Sequence, residues 1–245
     1  MIKLSGISFR YPHAEEGDFA LKDIDMEIQD GAFVAVLGAN GSGKSTLARL
    51  LNALLLPTEG SLTVDGITID STSKADTSKL MQIRCHVGMV FQNPENQIVG
   101  DTVERDVAFG PENLGLSHEE IKERVDEALI LMDLQSMRDR NPLSLSGGQL
   151  QRLAMAGCLA LRSRYLVLDE SLSMLDTETK SEVLENLRHL NKEQKMGIIL
   201  ISHDITDCKN TQRIYVLDKG RLAKEGTASE ILQRKEELRS LGVRC

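Results

Sequence analysis

The sequence predicts an α/β protein built on a mainly parallel sheet, with its ligand site along one edge of that sheet. Three short apolar runs carry this prediction: Phe33 to Leu37, Tyr165 to Leu168 and Gly197 to Ile201, each continuous enough for a strand buried on both faces. Each run gives way abruptly to polar residues, and helical spacing follows the first. Apolar strands alternating with helices, with polar groups at the strands' carboxyl ends, are the pattern of a parallel sheet that binds along that edge.

Ahead of the first run, residues 1–30 alternate apolar and polar (Ile2, Leu4, Ile7, Phe9; then Ile24, Met26, Ile28), which predicts antiparallel strands with one covered face. Helical spacing extends from Ser45 through Leu55, Pro57 and Gly60 interrupt it, and residues 61–70 alternate as strand. Residues 71–80 are polar and read as a loop. From about 94 to 160 the pattern is mostly helical. There Ser117 and Glu120 form a capping box ahead of Ile121, Val125, Leu129 and Met132, and a further helix runs from Leu150 to Leu161. A strand from Arg213 to Asp218, a turn at Lys219-Gly220 and an amphipathic helix from about Ser229 complete the chain. The expected division is a single domain: residues 1–93 and 161–220 as core with the antiparallel strands, 94–160 as a helical subdomain, and 221–245 as a C-terminal helical tail.

With 245 residues and about 150 per domain, one large domain or a core with a subdomain is expected. A hydrophobic share of 41% and only 5 Pro exclude collagen-like and disordered classes. Aromatics at 3% and no Trp argue against a base-stacking platform, and a net charge of −8 argues against a nucleic-acid backbone binder. No apolar run reaches the ~18 residues of a membrane span, and Met1 to Pro12 lacks the features of a signal peptide. The four cysteines (Cys85, Cys158, Cys208, Cys245) form no C-x-x-C pair, so reduced thiols in an intracellular protein are expected rather than a zinc site.

The chemistry begins at Gly38-Ala39-Asn40-Gly41-Ser42-Gly43-Lys44-Ser45-Thr46, which fits G-x-x-x-x-G-K-[ST] between a predicted strand and a predicted helix. Its glycines let backbone N–H groups cradle phosphates, and the following helix points its positive end at the same anion. Lys44 would reach the β/γ-phosphates and Ser45 would offer a hydroxyl to Mg²⁺. A chance match in a chain of this length is on the order of 1% from residue frequencies. Asp169 closes a buried strand where a Mg²⁺ ligand belongs. Glu170 follows it, and strand alternation puts it on the opposite face as a general base for the attacking water. Leu145-Ser146-Gly147-Gly148-Gln149 sets a serine and two glycines at a helix start, a second backbone-donor site for an anion.

Together these strings look like the nucleotide-binding subunit of an ABC transporter, and the resemblance covers nearly the whole chain. It implies a P-loop NTPase core with a mainly parallel sheet, an N-terminal antiparallel β subdomain and an inserted α-helical signature subdomain. It further implies that Tyr11 stacks on adenine and that Gln92 is the loop glutamine sensing Mg²⁺ and water. Asp176 resembles the D-loop aspartate at a dimer interface, and His203 the switch histidine on the γ-phosphate. The other four histidines are expected at the surface. ATP and Mg²⁺ are the implied ligands. Two subunits would pair head to tail, each ATP held between one chain's Lys44 loop and the other's Ser146-Gly147-Gly148. Residues 91–99 (FQNPENQIV), 106–110 (DVAFG) and 112–116 (ENLGL) resemble ATPase subunits of energy-coupling factor transporters. That resemblance implies a second ATPase, a transmembrane T-component and an S-component that binds vitamins or other micronutrients, with this chain peripheral on the cytoplasmic side of the cell membrane and no nucleic-acid partner. A conventional importer or exporter permease, or a soluble nucleic-acid or ribosome factor, are the alternatives. The chain departs from the family at Ser171, Leu172 and Thr177, where Ala, Thr and Pro are usual.

Overall fold

A computed structural model describes residues 1–15 and 17–244; Cys245 lies outside them. In chain order the elements are β1 (Ile2–Phe9), β2 (Leu21–Ile28), β3 (Phe33–Gly38), α1 (Lys44–Leu51), β4 (Glu59–Val64), β5 (Ile67–Asp70), α2 (Thr77–His86), β6 (Val87–Val90) and α3 (Val103–Asn113). There follow α4 (His118–Leu131), α5 (Gly147–Ala160), β7 (Tyr165–Asp169), α6 (Thr177–Gln194), β8 (Gly197–Ser202), β9 (Arg213–Asp218), β10 (Arg221–Thr227), α7 (Ala228–Leu232) and α8 (Lys235–Ser240). The strands form two sheets. One is antiparallel with the order β2-β1-β4-β5; the other has the order β10-β9-β3-β8-β7-β6 and is parallel except where β10 joins β9.

The apolar runs are continuous because each of these strands is covered on both sides. Val34 and Val36 of β3, Val167 of β7, and Ile199 and Ile201 of β8 face a core shared with the antiparallel sheet and α1. Leu166 and Leu168, with Ile198 and Leu200, face a second core built with α3, α4, α5 and α6. Ala35 and Leu37 turn toward a third, smaller core with Ile205, Ile231, Leu238 and Val243. Three strands of the same sheet therefore end side by side, with Leu37 level with Ser202 and Leu168 level with Leu200. The loops leaving them meet at one edge.

Five expectations are corrected. Helix α1 stops at Leu51 rather than Leu55, because Ala53 adopts a left-handed conformation (φ 54°) and the Asn52 side chain leaves the helix to donate to the Val87 carbonyl. Residues 61–70 are two strands, β4 and β5, split by Asp65-Gly66, both with positive φ as a two-residue hairpin turn requires. Within the supposed loop 71–80, helix α2 begins at Thr77, capped by Asp76, whose carboxylate accepts from Lys79 N at 3.1 Å. Helix α5 starts at Gly147, so the glycines of the Leu145–Gln149 string form its first turn. Lastly, residues 221–227 are strand and not helical tail. They pair with β9 as an edge strand whose arginine, lysine and glutamate hide it from an apolar-pattern reading. Two short helices follow it, α7 and α8. The capping box at Ser117 and Glu120 forms as expected.

Ile199 is fully buried in the middle of the parallel sheet. Ile199→Ala should cost about 2–5 kcal/mol and lower the thermal midpoint by roughly 5–15 °C, measured by circular dichroism.

Candidate functional site

The loop between β3 and α1 folds over the amino end of α1. Gly43 sits at its tightest point with φ +101°, and a Cβ there would come within 2.7 Å of both the Ala20 carbonyl oxygen and Leu21 Cδ2. Only glycine fits both that torsion and that approach. Lys44 opens α1 and is almost fully buried. Its Nζ donates to the Gly38 and Ala39 carbonyls at 3.0 and 2.9 Å and pairs with Glu170 Oε1 at 3.1 Å. The hydroxyl of Ser42 is buried, has no hydrogen-bond partner, and packs so close to Gly38 that a Cβ there would collide with it.

Asp169 continues the alternation of Tyr165 and Val167, so its carboxylate faces α1 and accepts from Ser45 Oγ at 3.0 Å. Burial pushes the Asp169 carboxyl above its ordinary range, the Ser45 hydrogen bond opposes this, and the nearby Glu170 charge adds to the rise. By strand alternation Glu170 would face away; it does not. The strand ends at Asp169, and Glu170 takes a left-handed conformation (φ 49°), held by its N–H donating to the Ile201 carbonyl at 3.1 Å. That single residue in the left-handed region swings its carboxylate to the same side as Asp169.

Glu170 is thereby the hub. Besides Lys44, its Oε2 accepts from Gln92 Nε2 at 3.4 Å and lies 3.6 Å from His203 Nδ1, which has no hydrogen-bond partner. Tyr11, Asn40, Gly41, Gly43, Lys44, Ser45, Thr46, Gln92 and Glu170 line one open cleft of about 450 Å³. Tyr11 is anchored there by its hydroxyl at 3.1 Å from Thr46 Oγ1 and by an edge-on contact with the Phe9 ring, with centroids 4.9 Å apart. Ser45 and Asp169 offer hard oxygen donors suited to a small cation. Among the described residues no cluster of three or more His, Cys, Asp or Glu forms a metal cage, so any cation there would fill its shell with ligand and water oxygens.

Ser146, Gly147, Gly148, Gln149 and Asp176 line no part of that cleft. Ser146 caps α5 with a reciprocal bond to Gln149: its N–H donates to Gln149 Oε1 at 2.9 Å, and its Oγ accepts from Gln149 N at 3.3 Å. Leu175, just before α6, stands against Gly148. Asp176 caps α6, accepting from the N–H groups of Glu178 and Thr179 at 3.1 and 3.0 Å. The Thr179 backbone and side-chain hydrogen bonds hold its carboxyl below the usual range. Ser146–Gln149 and Asp176 thus stand apart from the cleft, each capping its own helix, with Leu175 against Gly148 linking the two segments. His13, His118 and His189 are exposed and His86 is half-buried beside Asp65.

Some supporting residues carry no motif. Gln97 Nε2 donates to the Met89 carbonyl and its Oε1 accepts from Phe91 N, while buried Gln151 donates to the Phe91 carbonyl, so two side chains of the helical segment brace the residue before Gln92. Asp207 joins Ser202 Oγ at 2.7 Å to Lys180 Nζ at 2.6 Å, tying α6 to the end of β8. A larger cavity of about 630 Å³ between β1–β2 and β9–β10 shares no residue with the phosphate-loop cleft.

The family model described as ABC transporter matches residues 21–173, more than half of the chain. The chain belongs to the ABC transporter family. Among curated relatives, an energy-coupling factor transporter ATP-binding protein of Syntrophomonas wolfei is 44% identical over 99% of this chain and 86% of its own length. One of Symbiobacterium thermophilum is 47% identical over 98% of this chain and 84% of its own length. A dimeric ATP-binding cassette solved in a post-hydrolysis state with ADP and phosphate superposes with a TM-score of 0.85 at 32% identity, covering 93% of this chain and 99% of that one. The structure of cbiO1 from Clostridium perfringens, described as part of an ABC transporter complex, gives 0.83 at 34% identity over 99% and 94%. As a member of this family the chain is an ATP-binding, ATP-hydrolysing cassette.

Gly43→Ala should remove the rise in melting temperature that ATP produces in the native chain, because the strained torsion and both close contacts lie where α1 meets the phosphates. A melting curve recorded with and without ATP checks this.

Proposed function

We propose that this chain powers an energy-coupling factor transporter that imports vitamins or other micronutrients. It would sit on the cytoplasmic face of the cell membrane with a second ATPase subunit, a transmembrane T-component and a substrate-binding S-component. The observation that carries the catalytic part is the convergence of Lys44, Gln92 and His203 on Glu170 beside the Ser45–Asp169 pair. The membrane assignment rests on the relatives, which are named as energy-coupling factor subunits along almost the whole chain. None of the described helices is long and apolar enough to cross a membrane.

In this reading the phosphate loop binds ATP. Lys44 and the N–H groups at the start of α1 would take the β- and γ-phosphate charge. Tyr11 would stack on the adenine at the mouth of the cleft. Ser45, Asp169 and Gln92 would hold Mg²⁺, which supplies charge neutralisation to the phosphates when bound. Glu170 orients and deprotonates the attacking water, Gln92 positions that water, and His203 holds the γ-phosphate from the far side. Phosphate oxygens would compete with Glu170 for the Lys44 ammonium, so ligand binding itself would loosen the base for its task. Ser146-Gly147-Gly148, with Gln149 and Asp176, would meet the nucleotide of a partner cassette placed head to tail, with residues 94–160 acting as the signature subdomain. Because the clamped ATP contributes contacts only in the closed pair, hydrolysis would reopen it.

Glu170→Gln keeps the shape of the hub and removes the proton acceptor. Turnover should fall roughly 10²–10⁴-fold while ATP binding persists; near-native kcat in that variant would reject the role. For the partners, the tagged chain extracted from its host membrane in mild detergent should bring down a second ATPase and small polytopic proteins, identified by mass spectrometry. Recovery with an extracytoplasmic binding protein and its permease, or with ribosomes, would replace the partner assignment and leave the catalytic one standing.

A further inference from the structure

Residues 242–244, beyond α8, touch both the phosphate loop and the loop after β8. Helix α8 closes with the two bonds of a left-handed glycine cap: Gly242 N donates to the Arg239 carbonyl and Val243 N to the Leu238 carbonyl, each at 3.0 Å, with Gly242 at φ +74°. Leu238 and Val243 are buried against Leu37 and Ile205, which seats the cap directly under the carboxyl edge of the sheet. From there the chain runs alongside the loop after β8. Arg244 N donates to the His203 carbonyl at 2.8 Å, and Ile205 N donates to the Arg244 carbonyl at 2.9 Å, one rung of parallel pairing between residues 204 and 244. At its other end Gly242 lies against the phosphate loop so closely that a Cβ would come within 2.7 Å of Ala39 Cβ.

We infer that residues 242–244 are a strap that sets the spacing between the phosphate loop and His203, with Arg244 a positioning residue for hydrolysis acting through its backbone. The backbone carries the role because the side chain of Arg244 is 76% exposed and its Nε stands 3.9 Å from Asp204 Oδ2, an ion pair too open to hold a loop. On its opposite flank the same loop is fastened by the Ser202–Asp207–Lys180 chain to α6. His203 is thus gripped from two elements. Of these two, the strap also bears on the phosphate loop. This inference rests on the reading of His203 as a group that acts at the γ-phosphate.

Proline at 244 deletes the N–H that His203 accepts, whereas alanine keeps it. R244P should lower kcat roughly tenfold or more with KM for ATP little changed, and R244A should stay near the native rate. The imidazole resonances of His203, assigned by their loss in H203A, should move in R244P and stay in place in R244A. Native turnover and an unmoved imidazole signal in R244P would overturn the strap, as would equal losses in R244A and R244P. If H203A itself keeps native turnover, the catalytic reading of His203 fails, and the imidazole signal alone then decides the strap. Should R244P not fold, hydrogen exchange of the native chain decides: the Arg244 and Ile205 amides should be protected, and free exchange at both would overturn the inference.

Discussion

A lysine and a glutamate face each other at 3.1 Å with side chains only 3% and 11% exposed, and the rest of the site is arranged around that pair. Burying two opposite charges carries a desolvation penalty that their attraction offsets only when further hydrogen bonds satisfy them. The satisfaction is visible on both sides. Lys44 spends its other donors on two loop carbonyls, which defines the curvature of the phosphate loop. Glu170 takes Gln92 and stands beside His203, which draws the ends of β6 and β8 toward the end of β3. A charged pair here differs from an apolar contact in one respect: in the proposed mechanism it would exchange partners when an anion arrives.

That arrangement needs strands of one sheet to finish level, and the parallel order β3-β8-β7-β6 provides this. The end of each strand contributes its own chemistry: ammonium and hydroxyl after β3, two carboxylates at the end of β7, imidazole after β8, amide after β6. The faces of the sheet are committed to packing in three cores, so the edge is the one place where polar groups can gather without breaking apolar contacts. The helical segment contributes to this edge indirectly, through Gln97 and Gln151, which brace the backbone beside Gln92.

How much of this is legible in the sequence follows from which signals are local. The phosphate loop, Asp169 and His203 are legible because each interrupts a buried apolar run, and a polar residue at that point is conspicuous. Gln92 was legible by resemblance alone, since its strand, Val87 to Val90, is only four residues long. The facing of Glu170 is not legible, because alternation assumes a strand that continues, whereas a left-handed residue ends it. Strand β10 escaped because an edge strand exposed on alternate residues and rich in charge shows no apolar period. Helix α2 escaped for a related reason: only Leu80 and Ile83 are buried in it. Gln97, Gln151, Asp207 and Arg244 act over separations of up to tens of residues, and no spacing rule reaches that far.

Ser146 and Gln149 close a reciprocal cap on the first turn of α5, so the signature segment holds its shape through bonds within its own helix. A surface that is already ordered forfeits little conformational entropy when a second cassette arrives. In the proposed head-to-tail pair its encounter with that cassette would resemble rigid-body docking. Differences in strength among possible partners would be expressed mainly in how long the pair stays together, and much less in how fast it forms.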